Sequence, residues 1–217
     1  MFPGFSIEHI TVDFPFALAP MAGISDMTFR TLMRRLECGL VVSELISCEA
    51  MIRHNPRTAR LMRVGEEEKP VGVQIFGSDA AAMADTAVMA EQGGADFIDV
   101  NLGCPVKKIT KQGAGSALLE KPEELATILK TVKKAISIPL TIKIRTGFTD
   151  DNLTYREIID VAQDCDIAMV AIHGRTRQQA YEGKADWDVI ADAKSYARLP
   201  ILGNGDITTA QGAIDRM

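Results

Sequence analysis

The segment that decides the fold is residues 96–119, DFIDVNLGCPVKKITKQGAGSALL. Its first residues form an apolar run, which is typical of a strand buried on both faces in a parallel sheet. A cysteine follows, between Gly103 and Pro105. Glycine permits a sharp backbone turn there and proline makes it rigid. The segment therefore predicts a buried strand whose carboxyl end carries the thiol of Cys104 on a fixed turn.

Similar apolar runs recur along the chain, and each is followed by a helical pattern. Seven runs are found, at residues 16–21, 39–44, 71–77, 96–103, 139–147, 167–175 and 200–206. Ser25 or Asp26 is expected to cap the first helix, and Ser78 or Asp79 the alanine-rich helix after the third run. Repeated units of this kind indicate either an open doubly wound sheet or a (β/α)8 barrel.

Two features favour the (β/α)8 TIM barrel. No G-x-G-x-x-G follows the first strand, so the dinucleotide-binding fingerprint is missing. Nearly every strand ends in polar residues, which in a barrel converge on one mouth, whereas an open sheet needs them only at its switch point. These residues are Ser43, Glu44, Gln74, Asn101, Lys143, Arg145, His173, Arg175, Asn204 and Asp206. With seven strands counted, we expect residues 1–217 to form one barrel domain, truncated after its seventh strand and helix.

Composition narrows the class of protein. The chain has 217 residues, of which 47% are hydrophobic and 24% charged, as in an ordinary globular enzyme. Its formal net charge of -5 makes the whole surface a poor nucleic-acid binder, although local basic patches can still attract RNA. The four cysteines form no C-x-x-C pair, and no zinc-like spacing occurs, so no metal is expected. No signal peptide and no membrane-length apolar run is found, so we expect a cytoplasmic protein.

Four side chains at strand ends are candidates for chemistry. Cys104 can be a small buried hydrophobe, a proton donor, or a nucleophile if a histidine lies beside it. Lys143 lies inside an apolar strand, where burial is costly without a partner or ligand. It can reach water, hold an anionic cofactor or form a Schiff base. Gln74 and Asn101 carry amides, which suit the imide edge of a pyrimidine or a flavin if they are not simply paired in the core.

Phosphate binding is the other chemistry indicated. The GNGD sequence at residues 203–206 follows the seventh strand, where this fold often binds phosphate, although Asn-Gly is also a common turn. Basic residues cluster after the cysteine, in residues 53–63 and after the sixth strand. They are Lys107, Lys108, Lys111, Arg53, Arg57, Arg60, Arg63, Arg175 and Arg177. Each cluster is either a solvated face or part of a track for a phosphate backbone.

Six motifs together resemble the tRNA-dihydrouridine synthases, in order and in spacing. They are APMAGISDMTFR, VQIFG, DVNLGCPVKKITKQGAGSALL, IKIRTGF, IHGRT and ILGNGDI, and the cysteine segment is the most specific of them. The resemblance implies an FMN enzyme that reduces uridines in tRNA to 5,6-dihydrouridine, with NADPH as reductant. Family members continue beyond the seventh strand with a helical tRNA-binding domain. This chain also has Ser43 where threonine is expected.

The resemblance also implies roles for individual residues. It assigns FMN contacts to Pro20, Met21, Ala22, Gln74, Lys143, His173, Asn204, Gly205 and Asp206. Asn101 would lie beside the target uracil, and Arg145 and Arg175 would contact tRNA or phosphate. Hydride would pass from reduced FMN to C6 of the uracil, and Cys104 would supply the proton to C5.

Three alternatives remain open at this stage. A related FMN barrel could act on a free pyrimidine, as a dihydroorotate or dihydropyrimidine dehydrogenase does. Lys143 could serve a Schiff-base aldolase that needs no flavin. The chain could also be an RNA-binding module without catalysis.

Overall fold

The computed structural model describes residues 4–217, apart from the side chains of Lys107 and Lys108, so the basic cluster predicted at those two lysines lies outside the described side chains. The strands are β1 Phe5–Ile7, β2 Ile10–Val12, β3 Ala17–Leu18, β4 Leu40–Val42, β5 Ile46–Ser47, β6 Val71–Phe76, β7 Phe97–Asn101, β8 Leu140–Arg145, β9 Met169–His173 and β10 Ile201–Asn204. The α-helices are α1 Met27–Arg35, α2 Cys48–Ile52, α3 Pro56–Leu61, α4 Ala80–Gln92, α5 Lys107–Thr110, α6 Pro122–Ala135, α7 Tyr155–Asp164, α8 Trp187–Tyr196 and α9 Ala210–Ile214. Two 3-10 helices span Glu66–Glu68 and Gly115–Glu120.

The main sheet is parallel and follows chain order. Its strands lie in the order β10-β9-β8-β7-β6-β4-β3, and β5 also pairs with β6. A doubly wound sheet reverses its order at a switch point, and the described strands show no such reversal. Leu18 on β3 and Leu202 on β10, at the two edges, line one cavity with the central strands, so the sheet curls. The predicted barrel fold is confirmed as a curled sheet of seven parallel strands along this path.

The helix starts follow from local capping. The Asp26 carboxylate accepts a hydrogen bond from the Phe29 amide at 2.8 Å and so caps α1. Asp79 caps α4 in the same way through the Ala82 amide at 2.7 Å. Ser25, the other predicted cap of α1, instead accepts from the Met21 amide at 2.9 Å and closes the preceding turn. None of the helices within residues 4–217 is long and apolar enough to cross a membrane.

Several short elements were not predicted. β1 and β2 form an antiparallel hairpin before the first predicted strand. β5, α2 and α3 occupy residues 46–61, part of which the sequence analysis treated only as a basic cluster. β1, β2 and β5 have two or three residues each, which is too short for a periodic pattern of their own.

The inward face of the curled sheet has two layers. The lower layer, called the floor, is an apolar cluster closed by the hairpin; its buried residues are Ile7, Ile10, Val12, Leu40, Val42, Phe97 and Met169. Phe97 packs over Gly72, where an added Cβ would lie 2.2 Å from the ring. The upper layer, called the mouth, lies at the carboxyl ends of the strands; its members treated below are Gln74, Asp99, Asn101, Lys143, Arg145, His173, Arg175 and Asn204. A larger apolar cluster joins the outer face of the strands to the surrounding helices.

Candidate active site at the carboxyl ends of the strands

The strand register brings most of the predicted site residues together. The paired positions are Gln74 with Asp99, Asn101 with Lys143, Arg145 with His173, and His173 with Asn204. Residues paired across neighbouring parallel strands point to the same face of the sheet. The mouth therefore combines amides, a cation and an imidazole, which is the convergence expected of a barrel active site.

Lys143 supplies a cation inside the mouth. Its ammonium Nζ donates to Oδ1 of Asn204 at 2.9 Å. Lys143, Asn204 and Asp99 line one cavity of about 110 Å³. Burial lowers the pKa of Lys143 to about 8, the Asp99 carboxylate opposes this shift, and the Arg145 guanidinium adds to it. The ammonium is therefore still mostly charged at pH 7, and it can stabilise negative charge on a ligand in this cavity.

A line of side-chain hydrogen bonds runs from the centre of the sheet to the cysteine turn. Asp99 accepts from the Thr141 hydroxyl and from Nε2 of Gln74, both at 2.6 Å. Nδ2 of Asn101 donates to Oε1 of Gln74 at 3.0 Å. Oδ1 of Asn101 then accepts from the Cys104 amide at 2.9 Å. Asp99, Gln74 and Asn101, called the amide chain below, thus connect the interior to the turn.

The sequence analysis missed Asp99 and treated it as part of an apolar strand. Its side chain is 3% exposed, and burial raises the pKa of its carboxyl group. A signal was present, because Asp99 lies two residues before Asn101 and so points to the same face. An acidic residue inside a run of Phe, Ile and Val requires a polar partner in the interior.

The turn that carries Cys104 is held on both sides. Its carbonyl accepts from the Ser116 hydroxyl at 2.9 Å, while Asn101 holds its amide. Gly115 has φ 62 and an added Cβ would lie 3.1 Å from the Cys104 carbonyl, so this close approach requires glycine. The small residues of the sequence GAGS therefore serve to seat the turn, a function for Ser116 that sequence reasoning did not identify.

The four cysteines, all within the described residues, differ in exposure. Cys38, Cys48 and Cys165 are buried, and Cys104 is partly exposed. Burial raises the pKa of the other three thiols, in the case of Cys48 to about 12. Among the four thiols, that of Cys104 is thus the most accessible, and its turn lies beside Arg145, which donates to the Gly103 carbonyl at 2.8 Å.

Arg145 is buried and its donors reach backbone carbonyls. Its side chain is 3% exposed. Besides Gly103, it donates to the carbonyls of Thr176 at 2.8 Å and Ala180 at 2.9 Å. It therefore ties the cysteine turn to the loop after β9. Contact with tRNA or phosphate stays a prediction for this residue.

Arg175 forms a second connection, between the loops after β9 and β10. It donates to both carboxylate oxygens of Asp206, at 2.8 and 3.0 Å, and to the carbonyls of Glu182 at 3.1 Å and Gly183 at 2.8 Å. Asp206 also accepts from the Ala185 amide at 2.7 Å, and this bond and Arg175 lower the pKa of its carboxyl group. Both side chains thus fix loops, and their predicted contacts with tRNA and FMN stay predictions.

His173 and Gly205 complete this side of the mouth. Burial lowers the pKa of His173 to about 3, and the cations of Lys143, Arg145 and Arg175 add to the shift. The imidazole is therefore neutral at pH 7 and can both donate and accept. Gly205 has φ 131, and an added Cβ would lie 2.5 Å from the Ala185 side chain, so the loop cannot accept a larger residue here.

The loop at residues 20–25 follows β3 and lies at the mouth. Pro20 lines the cavity with Lys143. The side chain of Met21 packs into a separate apolar cluster, and Ala22 is exposed. The Glu44 carboxylate accepts from the Gly23 amide, which fixes the loop to the end of β4. Of the three residues predicted to contact FMN in this loop, Pro20 is thus the one that lines the cavity.

Basic residues lie on the surface around α3. Arg57, Arg60 and Arg63 are exposed, and Arg53 is exposed but paired with Glu49 at 2.6 Å. β5, which leads into this region, pairs with the last two residues of β6, so the helices start at the mouth end of the sheet. Within residues 4–217, no group of three or more His, Cys, Asp or Glu side chains could hold a metal ion.

The amino-acid sequence is similar to those of known dihydrouridine synthases. The sequence model for dihydrouridine synthases matches residues 17–217. The chain is 39% identical to the probable tRNA-dihydrouridine synthase of Rhodobacter capsulatus over 96% of its length. It is 42% identical to tRNA-dihydrouridine synthase B of Vibrio cholerae and 43% to that of Pseudomonas putida, each over 90% of its length. It spans 64%, 61% and 58% of these three relatives.

Solved structures with little sequence similarity share the fold. Histamine dehydrogenase from Rhizobium sp. 4-9 superposes with a TM-score of 0.71 at 11% identity, covering 99% of this chain and 43% of that one. DHODH from Eimeria tenella, in complex with ferulenol, gives 0.68 at 15% identity, covering 98% of this chain and 75% of that one. At such identities the similarity concerns the barrel architecture alone.

Proposed function

Since this chain belongs to the dihydrouridine synthase family, we propose that it contains the active site of a flavin-dependent enzyme that reduces uridines in tRNA to 5,6-dihydrouridine. One observation supports this most strongly. A partly exposed thiol, Cys104, is held on both sides of its turn at the mouth of a barrel that also contains the Lys143 ammonium. A proton donor and a fixed cation at one mouth are what the reduction of a uracil ring requires.

The residues present fit a flavin. An isoalloxazine ring has a polar edge of alternating donors and acceptors, and it carries negative charge when reduced. The mouth offers an ammonium at Lys143, amides at Gln74 and Asn204, and a neutral imidazole at His173. We propose that these side chains hold FMN, with Pro20 against the ring. When bound, FMN supplies the hydride, which we propose to come from NADPH.

Cys104 is the proposed general acid. An S–H group can donate a proton, and the two anchors on the turn fix the backbone that carries the thiol. The proton would be delivered to C5 of the uracil. Correct placement of a proton donor typically accelerates such a step 10²–10⁴-fold.

Asn101 is proposed to orient the uracil. One proton of its Nδ2 is donated to Gln74, and Oδ1 is occupied by the backbone of the cysteine turn. Among the contacts of the described residues, the second Nδ2 proton remains for a substrate carbonyl. The same residue would then hold both the proton donor and the base, which links their positions.

The tRNA is proposed to approach along the basic surface of α3. Arg57 and Arg60 are exposed there, at the mouth end of the barrel. Because the chain has a net charge of -5, a local patch of this kind is needed to attract a polyanion. The target base would leave its stack to enter the mouth. A cytoplasmic location belongs to the same proposal.

Reconstitution with flavin and substrate tests the proposal. The chain is loaded with FMN, reduced with NADPH and mixed with unmodified tRNA, and nucleosides are analysed by mass spectrometry. Dihydrouridine in the tRNA is the expected result. Turnover of free dihydroorotate or uracil, with tRNA left unchanged, would favour the dehydrogenase alternative. A colourless folded protein that borohydride traps at Lys143 with a carbonyl compound would favour the aldolase.

A further inference from the structure

The amide chain begins at a residue that the proposed chemistry does not use. Asp99 lies in the middle of β7 and is 3% exposed. Its two carboxylate oxygens accept from the Thr141 hydroxyl and from Nε2 of Gln74, both at 2.6 Å. Both oxygens act as acceptors in these bonds, and the nearby Lys143 ammonium favours the charged form by opposing the effect of burial. The NH2 group of Gln74 must therefore face Asp99, and its oxygen must face the other way.

The orientation of Gln74 determines that of Asn101. With Oε1 of Gln74 facing the mouth, Nδ2 of Asn101 donates to it at 3.0 Å. Oδ1 of Asn101 then faces the backbone amides of Cys104 at 2.9 Å and Gly103 at 3.3 Å. A reversed Asn101 would place its NH2 group against two N–H donors. These donors are partly buried, and leaving such a group unsatisfied costs up to about 1–3 kcal/mol.

The amide chain is thus bounded by an acceptor at one end and by donors at the other. Two amides between such ends have one satisfied arrangement, head to tail, and each bond polarises the next. We propose that Asp99 is a positioning residue that sets the orientation of the Gln74 and Asn101 amides, and through them holds the backbone of Cys104. The value of this for proton transfer rests on the proposed function. The orientation of the two amides does not rest on that function, because it is set by this chain's own residues without flavin or tRNA.

Two substitutions at Asp99 distinguish the loss of its negative charge from the loss of its hydrogen-bond acceptor. Asp99→Asn keeps an oxygen for Gln74, because the new NH2 group can donate to the Thr141 hydroxyl. That hydroxyl can in turn donate to the Ile98 carbonyl, 3.3 Å away. Asp99→Ala removes the acceptor altogether, so Gln74 is free to turn. The proposal expects the first variant to retain the orientation and the second to lose it.

The Cys104 amide reports the orientation directly. Labelling cysteine with ¹⁵N gives one amide signal for each of the four cysteines, and its solvent exchange is measured by NMR. In Asp99→Ala, the Cys104 amide is expected to exchange about fivefold faster, the effect of losing one net hydrogen bond. In Asp99→Asn the change should stay within about twofold. The Cys38 and Cys165 amides, which bond to the carbonyls of Met33 and Ala162, serve as internal references.

Each outcome decides the proposal. Unchanged exchange at Cys104 in Asp99→Ala, with faster exchange in Asn101→Ala, would overturn it, because Asn101 would then be oriented without Asp99. If Asp99→Ala accelerates all the cysteine amides, the fold itself has loosened, and Gln74→Met then decides. This variant breaks the amide chain with a side chain of similar size. Faster exchange confined to Cys104 supports the proposal, and exchange like that of the unsubstituted chain contradicts it.

Discussion

The floor and the mouth are built on the same strands and on the same inward face, yet they hold together in different ways. On β7, Phe97 belongs to the floor, and Asp99 and Asn101 follow on the same face at the mouth. On β9, Met169 is in the floor and His173 is at the mouth. Two residues further along β7, and four further along β9, contacts that depend on filled volume are thus replaced by polar contacts that depend on direction. Stability and chemistry can therefore vary separately.

The two layers differ in the type of contact that their side chains make. The floor residues contact one another over broad apolar areas, and their contribution depends on how well the space is filled. At the mouth, single atoms are matched, as where Arg175 meets both oxygens of Asp206 or Lys143 meets Asn204. A floor substitution should accordingly have the larger effect on unfolding, whereas a mouth substitution should affect unfolding less and mainly change local geometry and binding.

The largest expected effect on stability is at the floor. Phe97→Ala removes the ring that fills the space over Gly72, and it should lower the free energy of unfolding by about 3–5 kcal/mol. Urea denaturation measures this. Cys104→Ala, a mouth substitution at a partly exposed site, is the matched control and should change stability by less than about 0.5 kcal/mol. Equal losses in the two variants would remove the distinction between the layers.

A smaller loss is expected where the mouth is fixed by charge. Arg175→Gln removes the bidentate bond to Asp206 and the bonds to two loop carbonyls, and should cost about 2 kcal/mol of unfolding free energy. Arg177→Gln is the control. The Arg177 guanidinium stacks 4.2 Å from the centre of the Phe148 ring and makes one long hydrogen bond of 3.3 Å to the Thr110 hydroxyl, so its loss should cost less than about 1 kcal/mol. If Arg177→Gln lowers the free energy of unfolding as much as Arg175→Gln does, the bonds of Arg175 between the two loops do not contribute more than an ordinary surface contact.

The effect that is smallest near neutral pH is a pH dependence from His173. Its pKa is about 3 in the folded chain against an ordinary 6.5, so the unfolded chain binds a proton first as the pH falls. The contribution of His173 to the free energy of unfolding is therefore fully present above pH 6.5. It declines as the pH falls towards 3, by at most about 1.4 kcal/mol per pH unit. Denaturation curves at several pH values, compared with those of His173→Gln, isolate this contribution. An imidazole NMR signal of His173 that titrates near 6.5 would contradict it.

The strands and their polar ends were predictable from the sequence, because long buried runs and alternation are local properties. The cap at Asp26 was predicted as one of two possibilities, and the structure selects it. The partners of Arg145 and Asp206 were not predictable, since a charge in a sequence does not reveal which loop it contacts. Asp99 and Ser116 were missed for a related reason: each acts on a neighbour that only folding brings close.

The central claim is that Cys104 supplies a proton at the mouth without holding the flavin. The direct test is a single-turnover experiment on the FMN-loaded chain, reduced with NADPH and mixed with unmodified tRNA. Cys104→Ala is expected to slow the reoxidation of the flavin by tRNA about 10²–10⁴-fold, with unchanged FMN affinity. A rate equal to that of the unsubstituted chain would contradict the claim, as would a loss of FMN binding that accounts for the slower reaction.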